Sequence, residues 1–536
     1  MAIKRTKHCL SYALALGAVC HVPAFAGTLS VVSVNPPART LTAPVGTGIR
    51  VDFDAALDPA SIDADSFRVF GRWSGAAAGS YSFSNNDQTV TFTPNRNFSH
   101  GEHVMVILSH DVAASGGPAL RDGGYSFQFW TGALPTEMDF QQIDTLSTNY
   151  PQGASSRPYG GIASDLNGDG WLDITTVNED TADLRVFLNL ANGSGLFFEP
   201  FLLPAPVGTQ ASPSEPADFN HDGNVDICVA NIAVDTVSVL FGDGDGTFTP
   251  QQTIPVGFGP RGICVLDVDG DGDVDLAHTN SSGSGNVSVM RNDGTGFFPL
   301  AGISTFEGGG IGEWAMAAAD MNNDGLLDLV IGAKGSNTVL VHVGNGDGTF
   351  TQVESAPCGG AVWMLVCGDV NGDGNEDVAV VNSQNNTGAI LLGDGTGQLG
   401  AFDAYPTTSF PLATDLGDLD GDGDLDWITS SYGTGGPSSG AWTIFRNDGN
   451  GTFAHFQTIT APRAASCSLP MDMDNDGDLD IALIDEEEDV VRLMQNSGIT
   501  AESVPTASAW GLAVMGLSLL LAGSLVARSR TGGPLL

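Results

Sequence analysis

The sequence predicts an all-β protein. It reads as a seven-bladed β-propeller of four-stranded blades, preceded by a β-sandwich and followed by a single C-terminal transmembrane helix. Three observations carry this. One acidic nine-residue pattern recurs seven times, at spacings of 49 to 54 residues, and a fixed period of that size marks an array or a propeller. Each copy lies between short apolar runs that read as strands. The residues ahead of the first copy lack the pattern but alternate apolar and polar positions, as sandwich strands do.

Residues 1–26 have the layout of a signal peptide. Lys4, Arg5 and Lys7 form a basic region, Leu10 to Val22 is mostly apolar, and Ala24-Phe-Ala26 offers a cleavage site. Export places the chain where disulfides form and calcium is abundant. Cys9 and Cys20 leave with that peptide. Cys228, Cys264, Cys358, Cys367 and Cys467 remain, an odd number, so at least one is unpaired or bonded between chains. No Cys or His spacing suggests zinc, and most of these thiols read as small buried hydrophobes.

Residues 27–133 are expected to form the sandwich, with about seven short strands. Ile49-Arg-Val-Asp-Phe53 and Thr89-Val-Thr-Phe-Thr93 alternate, while Pro36-Pro37, Asp58-Pro59 and Gly116-Gly-Pro118 punctuate. The stretch resembles bacterial Ig-like domains of the SbsA type through Val51-Asp-Phe53, Leu57-Asp-Pro-Ala-Ser61, Val90-Thr-Phe-Thr-Pro94 and the return from Asp111 to Leu120. That resemblance implies a spacer. A linker at 134–139 leads to the propeller at 140–497.

Each repeat reads as a strand, an acidic loop, a second and third strand, a Gly/Asp turn and a fourth strand opening near an aromatic. Those aromatics are Phe198, Phe248, Phe298, Phe350, Phe402 and Phe453. The seventh repeat stops after its third strand. A matching fourth strand stands at Asp139-Phe140-Gln-Gln-Ile143 instead, so the first segment is expected to complete the last blade and remove a free edge.

The loops carry the chemistry. The candidate ligands are Asp165, Asn167, Asp169 and Asp173; Asp218, Asn220, Asp222 and Asp226; Asp267, Asp269, Asp271 and Asp275; Asp320, Asn322, Asp324 and Asp328; Asp369, Asn371, Asp373 and Asp377; Asp418, Asp420, Asp422 and Asp426; and Asp472, Asp474, Asp476 and Asp480. Oxygen donors at positions one, three, five and nine, with Gly at six for the sharp turn, suit calcium, which takes six to eight oxygens. Up to seven calcium ions are expected. Magnesium fits less well, because it keeps its waters and demands tight octahedral geometry. Of 63 acidic residues, 24 stand at these positions, so much of the net charge of −44 is accounted for as metal-binding charge. That charge excludes nucleic acid as a partner.

These seven loops, with turns such as Phe241-Gly-Asp-Gly-Asp-Gly-Thr-Phe248, resemble the FG-GAP/VCBS repeats of integrin α-like propellers. The resemblance spans residues 140 to about 496 and implies a calcium-binding propeller.

Residues 498–509 hold a linker, Trp510 to Ala527 is an apolar run, and Arg528 and Arg530 begin a tail at 528–536 expected to stay cytoplasmic. Eighteen helical residues span roughly 27 Å, enough for a membrane anchor. The Val504-Pro-Thr and Trp510-Gly-Leu features resemble IPTL/PEP-CTERM sorting signals, which implies a membrane sorting enzyme as a partner.

Two enzyme-like motifs lack their context. Gly436-Pro-Ser438-Ser-Gly440 sits in a Gly/Pro loop rather than between a strand and a helix. Gly395-Thr-Gly397-Gln-Leu-Gly400 precedes a strand, not a helix. No catalytic residues and no organic cofactor are assigned. The leading expectation is a calcium-dependent protein of the cell surface or exterior that binds a protein or glycan on the face opposite the loops. The alternatives are a secreted polysaccharide-active enzyme on a propeller scaffold and a purely structural envelope component. Candidate ligand loops on that face start at Asn280, Ser431 and Asp485.

Overall fold

The computed structural model of the chain describes residues 28–149, 155–281, 286–434 and 438–496. The signal peptide expected at 1–26, the span expected at 510–527 and the expected sorting motif lie outside them. Among the described residues no helix is long and apolar enough to cross a membrane.

Residues ahead of the repeats form two four-stranded antiparallel sheets. One runs Val31–Asn35, Ile49–Phe53, Thr89–Pro94, Gly79–Ser84; the other runs Gly75–Ala76, Phe67–Gly71, His103–Leu108, Tyr125–Trp130. The alternation seen in the sequence decides which side chains face inward. Ile49, Val51, Val90 and Phe92 pack towards Val104, Val106, Phe127 and Phe129, all essentially buried. Eight strands form, one more than expected, because Gly75–Ala76 adds a short edge strand beside Phe67–Gly71.

The repeats form seven further sheets, each built on a second strand of six residues that starts at the ninth-position Asp of its loop. Every residue of these second strands is buried. They are covered on both faces, so their apolar runs are continuous rather than alternating. First strands of successive sheets pack against one another, and Pro158–Gly160 of sheet one also packs on Ala465–Met471 of sheet seven.

Three sheets depart from the plain pattern; in sheet three a 3-10 turn at Leu300–Gly302 follows the buried Phe298, and the fourth strand opens only at Ile303. The first strand of sheet one is broken into Pro158–Gly160 and Ala163–Ser164, and its fourth strand is only Ala205–Pro206, well after Phe198. Sheet seven takes its outer strand from the head of the repeats. Gln141–Ser147 pairs antiparallel with Val490–Gln495, from Gln141↔Gln495 to Ser147↔Val490. Burying that edge satisfies backbone groups that would otherwise template pairing with another chain.

A chain of hydrogen bonds ties each sheet to the one before it, always at the carbonyl of loop position two. Gly246, Gly348 and Gly397 donate backbone N–H groups to Leu166, Val268 and Met321 at 2.8–3.1 Å. Asn292, Asn447 and Asn496 donate side-chain amides to Phe219, Val370 and Leu419 at 2.7–3.0 Å. Asn189 donates to Met473 at 2.8 Å, joining sheet one to sheet seven.

The Ig-like unit is seated on the loop ends of these sheets. Asp165 N–H donates to Trp73 O, His110 N–H to Gly270 O and Ser126 N–H to Gly325 O, at 2.6–2.8 Å. Residues 134–139 are equally tied down: Leu134 N–H donates to Gly477 O at 2.8 Å and Thr136 N–H to Asp420 O at 2.9 Å. Trp73, His103 and Met105 close one end of a cavity of about 290 Å³, whose walls are the first strands of all seven sheets.

Candidate metal centres

The local geometry of each loop follows from residue type. Gly at position six has φ between 78° and 98° in all seven copies, a region that other residues enter only with strain. That turn aims backbone N–H groups inward. The first Asp accepts from the Gly at position six in every loop, at 2.8–3.2 Å. The fifth accepts from the residue at position seven, at 2.8–3.1 Å.

The ninth Asp holds the loop to its sheet. One oxygen accepts from the N–H of position two, at 2.8–3.1 Å. The other accepts from the end of the third strand, at 2.7–2.9 Å. The residue expected to close the metal shell therefore already carries two backbone hydrogen bonds, and any metal would use its remaining lone pairs.

Three loops gather carboxylates tightly. Ligand atoms of Asp267, Asp269 and Asp271 lie within 4.8 Å of one another, as do those of Asp418, Asp420 and Asp422 and those of Asp472, Asp474 and Asp480. In loops one, two, four and five the third position is Asn167, Asn220, Asn322 or Asn371.

The electrostatics match crowded, desolvated acids. Burial, followed by neighbouring carboxylates, pushes Asp418 and Asp472 up to about 7, and burial and Asp271 do the same to Asp267. Burial pushes Asp173 up to about 7, Asp226, Asp328, Asp377 and Asp426 to about 8, and Asp480 to about 9, against the amides that favour their charged form. Asp275 is driven up by burial and Asp267.

Buried oxygens decide whether a metal fits. Asp269 Oδ1, Asp418 Oδ1 and Asp478 Oδ1 are shielded from water and have no hydrogen-bond partner. A buried oxygen left without a partner is costly, and a hard cation with oxygen ligands removes that cost. The donor set fits calcium.

Several contributors lie outside the pattern read from the sequence. Asp478, at position seven, is 2% exposed and pushed up to about 8 by burial and by Asp476, Asp474 and Asp472. Arg291 pairs with Asp269 at 3.0 Å and Arg446 with Asp420 at 2.6 Å, while Gln495 donates to Asp474. These three residues occupy one equivalent place, immediately before Asn292, Asn447 and Asn496. The repeated Arg-Asn-Asp-Gly at 291 and 446 was a usable signal. From the Ig-like unit, Arg39 reaches Asp320 at 2.9 Å and Arg96 reaches Asp165 at 3.2 Å; nothing local in the sequence announces either.

All five remaining cysteines are free, with Cys228, Cys264 and Cys358 buried. His221, at position four of loop two, lies 3.0 Å from Asp273 of loop three. The Asp485–Asp489 loop is committed internally. Asp485 accepts from Arg463 and Ala464 N–H at 3.0 and 2.9 Å, Asp489 from Ser156 and Arg157 N–H at 2.8 Å, and Glu486 pairs with Arg157. Of the other two candidate loops, 282–285 and 435–437 lie outside the described residues. Ser438 leads into the strand Gly440–Asn447, not into a helix.

A model of the FG-GAP-like repeat matches residues 165–229, 218–278, 279–331, 320–380 and 369–429. A model of the bacterial Ig-like domain matches residues 27–131. No curated protein matches the chain. Among solved structures, BBS1N from its complex with ARL6DN is 12% identical, with 67% of this chain and 97% of that chain covered at a TM-score of 0.47. A protein from Lactobacillus plantarum is 15% identical, with 74% and 97% covered at 0.44. An Agrocybe aegerita lectin that recognises non-reducing terminal N-acetylglucosamine is 19% identical, with 59% and 82% covered at 0.40. These likenesses carry no argument about function. The chain carries FG-GAP-like repeats and bears a bacterial Ig-like domain ahead of them.

Proposed function

We propose that this is a calcium-binding, non-catalytic protein of the bacterial surface or exterior. In this reading the seven sheets are the blades of a closed propeller, up to seven calcium ions hold the loop face, and the opposite face meets an extracellular ligand. The observation that carries it is the set of partnerless buried carboxylate oxygens at Asp269, Asp418 and Asp478, set in a loop repeated seven times. The Ig-like unit covers the loop face, which leaves the other face for a partner. FG-GAP-like repeats and a bacterial Ig-like domain suit an exported protein, as does the signal peptide expected at 1–26.

The loops would work by neutralising charge. Carboxylates crowded within a loop, as at positions one, three and five of loops three and six, repel one another until a divalent ion joins them. Binding to the folded form alone stabilises by about 2.7 kcal/mol per site at a hundredfold excess over Kd. The test is thermal unfolding of the full chain in calcium, in magnesium and in EGTA. Calcium is expected to raise the midpoint by roughly 10 °C or more over EGTA, with a much smaller rise in magnesium. Equal midpoints in calcium and EGTA would overturn the proposal.

A further inference from the structure

The strand ends away from the Ig-like unit carry a cluster that the metal loops do not explain. Trp314 and Trp363 lie at the start of the first strands of sheets four and five; Phe410 and Tyr432 flank the first two strands of sheet six. Their rings form a row. Centroids are 4.9 Å apart from Trp314 to Trp363, 5.0 Å from Trp363 to Phe410 and 6.4 Å from Phe410 to Tyr432. All four rings are half-buried.

Two cations rest on this row. Arg261 places its guanidinium carbon 3.9 Å from the Trp314 centroid. Lys334 Nζ is 3.7 Å from Trp314 and 3.8 Å from Trp363. Lys334 is the only lysine in the chain after Lys7.

A structural cap over the cavity would need the rings but not the charges. In a chain with 63 acidic and 19 basic residues, Arg39, Arg96, Arg157, Arg291 and Arg446 each meet a carboxylate. Among the described residues, no carboxylate lies within ion-pair distance of Arg261 or Lys334. Arg261 Nε is buried without a hydrogen-bond partner. Tyr159 and, after it, the Glu179 carboxylate act on Arg261 electrostatically, and Glu179 already pairs with Arg157 at 3.6 Å. Burial and Arg261 push Lys334 down to about 8. The indole faces offset part of that cost, and an arriving anion would offset the rest.

The shape narrows the class of anion. The recess beneath Trp314 and Trp363 holds only about 20 Å³, far less than a pocket for a compact ligand. The row lies at strand ends, not along the free sheet edge that an added peptide strand requires. An open row of rings with cations on one flank suits a chain of flat-faced units that carry carboxylates.

We infer that this row binds an acidic oligosaccharide, with pyranose faces against the rings around Trp363 and a uronate carboxylate on Lys334 and Arg261. The inference rests on the assignment of this face as the ligand face and adds the class of ligand.

The test uses the full chain in saturating calcium with hyaluronan, mannuronate and galacturonate tetrasaccharides. Binding is read by tryptophan fluorescence and by protection of Lys334 from reductive methylation. At least one sugar is expected to bind and protect Lys334, with affinity at least tenfold weaker in Lys334→Ala, in Trp363→Ala and for the carboxyl-reduced sugar. Should Trp363→Ala fail to fold, Lys334→Ala and the reduced sugar decide. No binding by any of the three, or equal binding of the reduced form, overturns the inference. Equal binding and protection by an aspartate/glutamate peptide of the same charge would overturn it in favour of an acidic protein partner. The calcium midpoint shift is measured in the same samples. An intact shift without sugar binding sinks only this inference; an absent shift sinks the calcium reading beneath it.

Discussion

Loops one, two, four and five and loops three, six and seven handle the charge at position three in two ways. In the first group an Asn amide donates to the fifth-position Asp of its own loop, at 3.0–3.1 Å. The residue at the end of the third strand is then apolar: Leu188, Phe241, Val343 or Leu392. In the second group an Asp stands at position three and has no hydrogen to donate when ionised. The third strand supplies the donor instead, as Arg291, Arg446 or Gln495. The lesson is that position three is balanced in every loop, from within where it is neutral and from the neighbouring strand where it is charged. The second group holds more charge and keeps a competitor beside it, so the two groups should differ in metal affinity while sharing one scaffold.

The largest effect should fall where the groups do not differ. Asp377→Ala in loop five and Asp426→Ala in loop six each strand two buried backbone donors. Each should cost about 2–6 kcal/mol by denaturant unfolding, in calcium and in chelator alike. A loss seen only in calcium would mean that the ninth Asp acts as a ligand and not as a clasp.

A smaller effect should appear with pH. The ninth-position carboxyls are raised from the ordinary 3.8 to about 7–9 in the folded, metal-free chain. A raised folded value means that protonation favours the fold, so this stabilisation is full below about pH 4 and is lost as pH rises through about 7–9. Metal-free midpoints should therefore fall between about pH 5.5 and 8.5. With calcium the fall should flatten, and binding should release protons. Calorimetry in buffers of different ionisation enthalpy measures that release, and a metal-free midpoint that rises with pH would contradict the assignment.

The smallest effects should sharpen the comparison itself. Arg446→Leu removes the competitor at Asp420 and should strengthen calcium binding at loop six severalfold, while lowering metal-free stability by about 1 kcal/mol or less. Asp420→Asn should weaken binding at that loop by about tenfold, near 1.4 kcal/mol, and leave metal-free stability unchanged or improved. Isothermal titration of the paired variants checks both directions.

Much of this was legible locally. The seven acidic loops, the Gly at position six and the strand after each loop follow from a short pattern whose physics is local: carboxylates need amides or a cation, and a sharp turn needs positive φ. The missing last strand could also be counted along the chain, and Gln141–Ser147 does pair with Val490–Gln495. The sandwich strands showed in the alternation around Val51 and Val90 because one face of each sheet is buried.

What tertiary structure alone decided are the meetings of residues far apart in sequence. Arg39 lies on Asp320, Arg96 on Asp165, and Asn189 on the Met473 carbonyl; no local pattern encodes them, because their partners come from other sheets. The seat of the Ig-like unit on the loop face, and with it the choice of which face stays open, follows from backbone hydrogen bonds such as Ser126 N–H to Gly325 O. Such bonds leave no trace in side-chain identity. The row from Trp314 to Tyr432 is likewise assembled from three sheets, and its four aromatics stand 22 to 49 residues apart in the sequence. Composition set the chain's charge and the repeat set its loops. Packing the sheets side by side set Arg261 and Lys334 against Trp314 and Trp363, because strand ends from neighbouring repeats converge there.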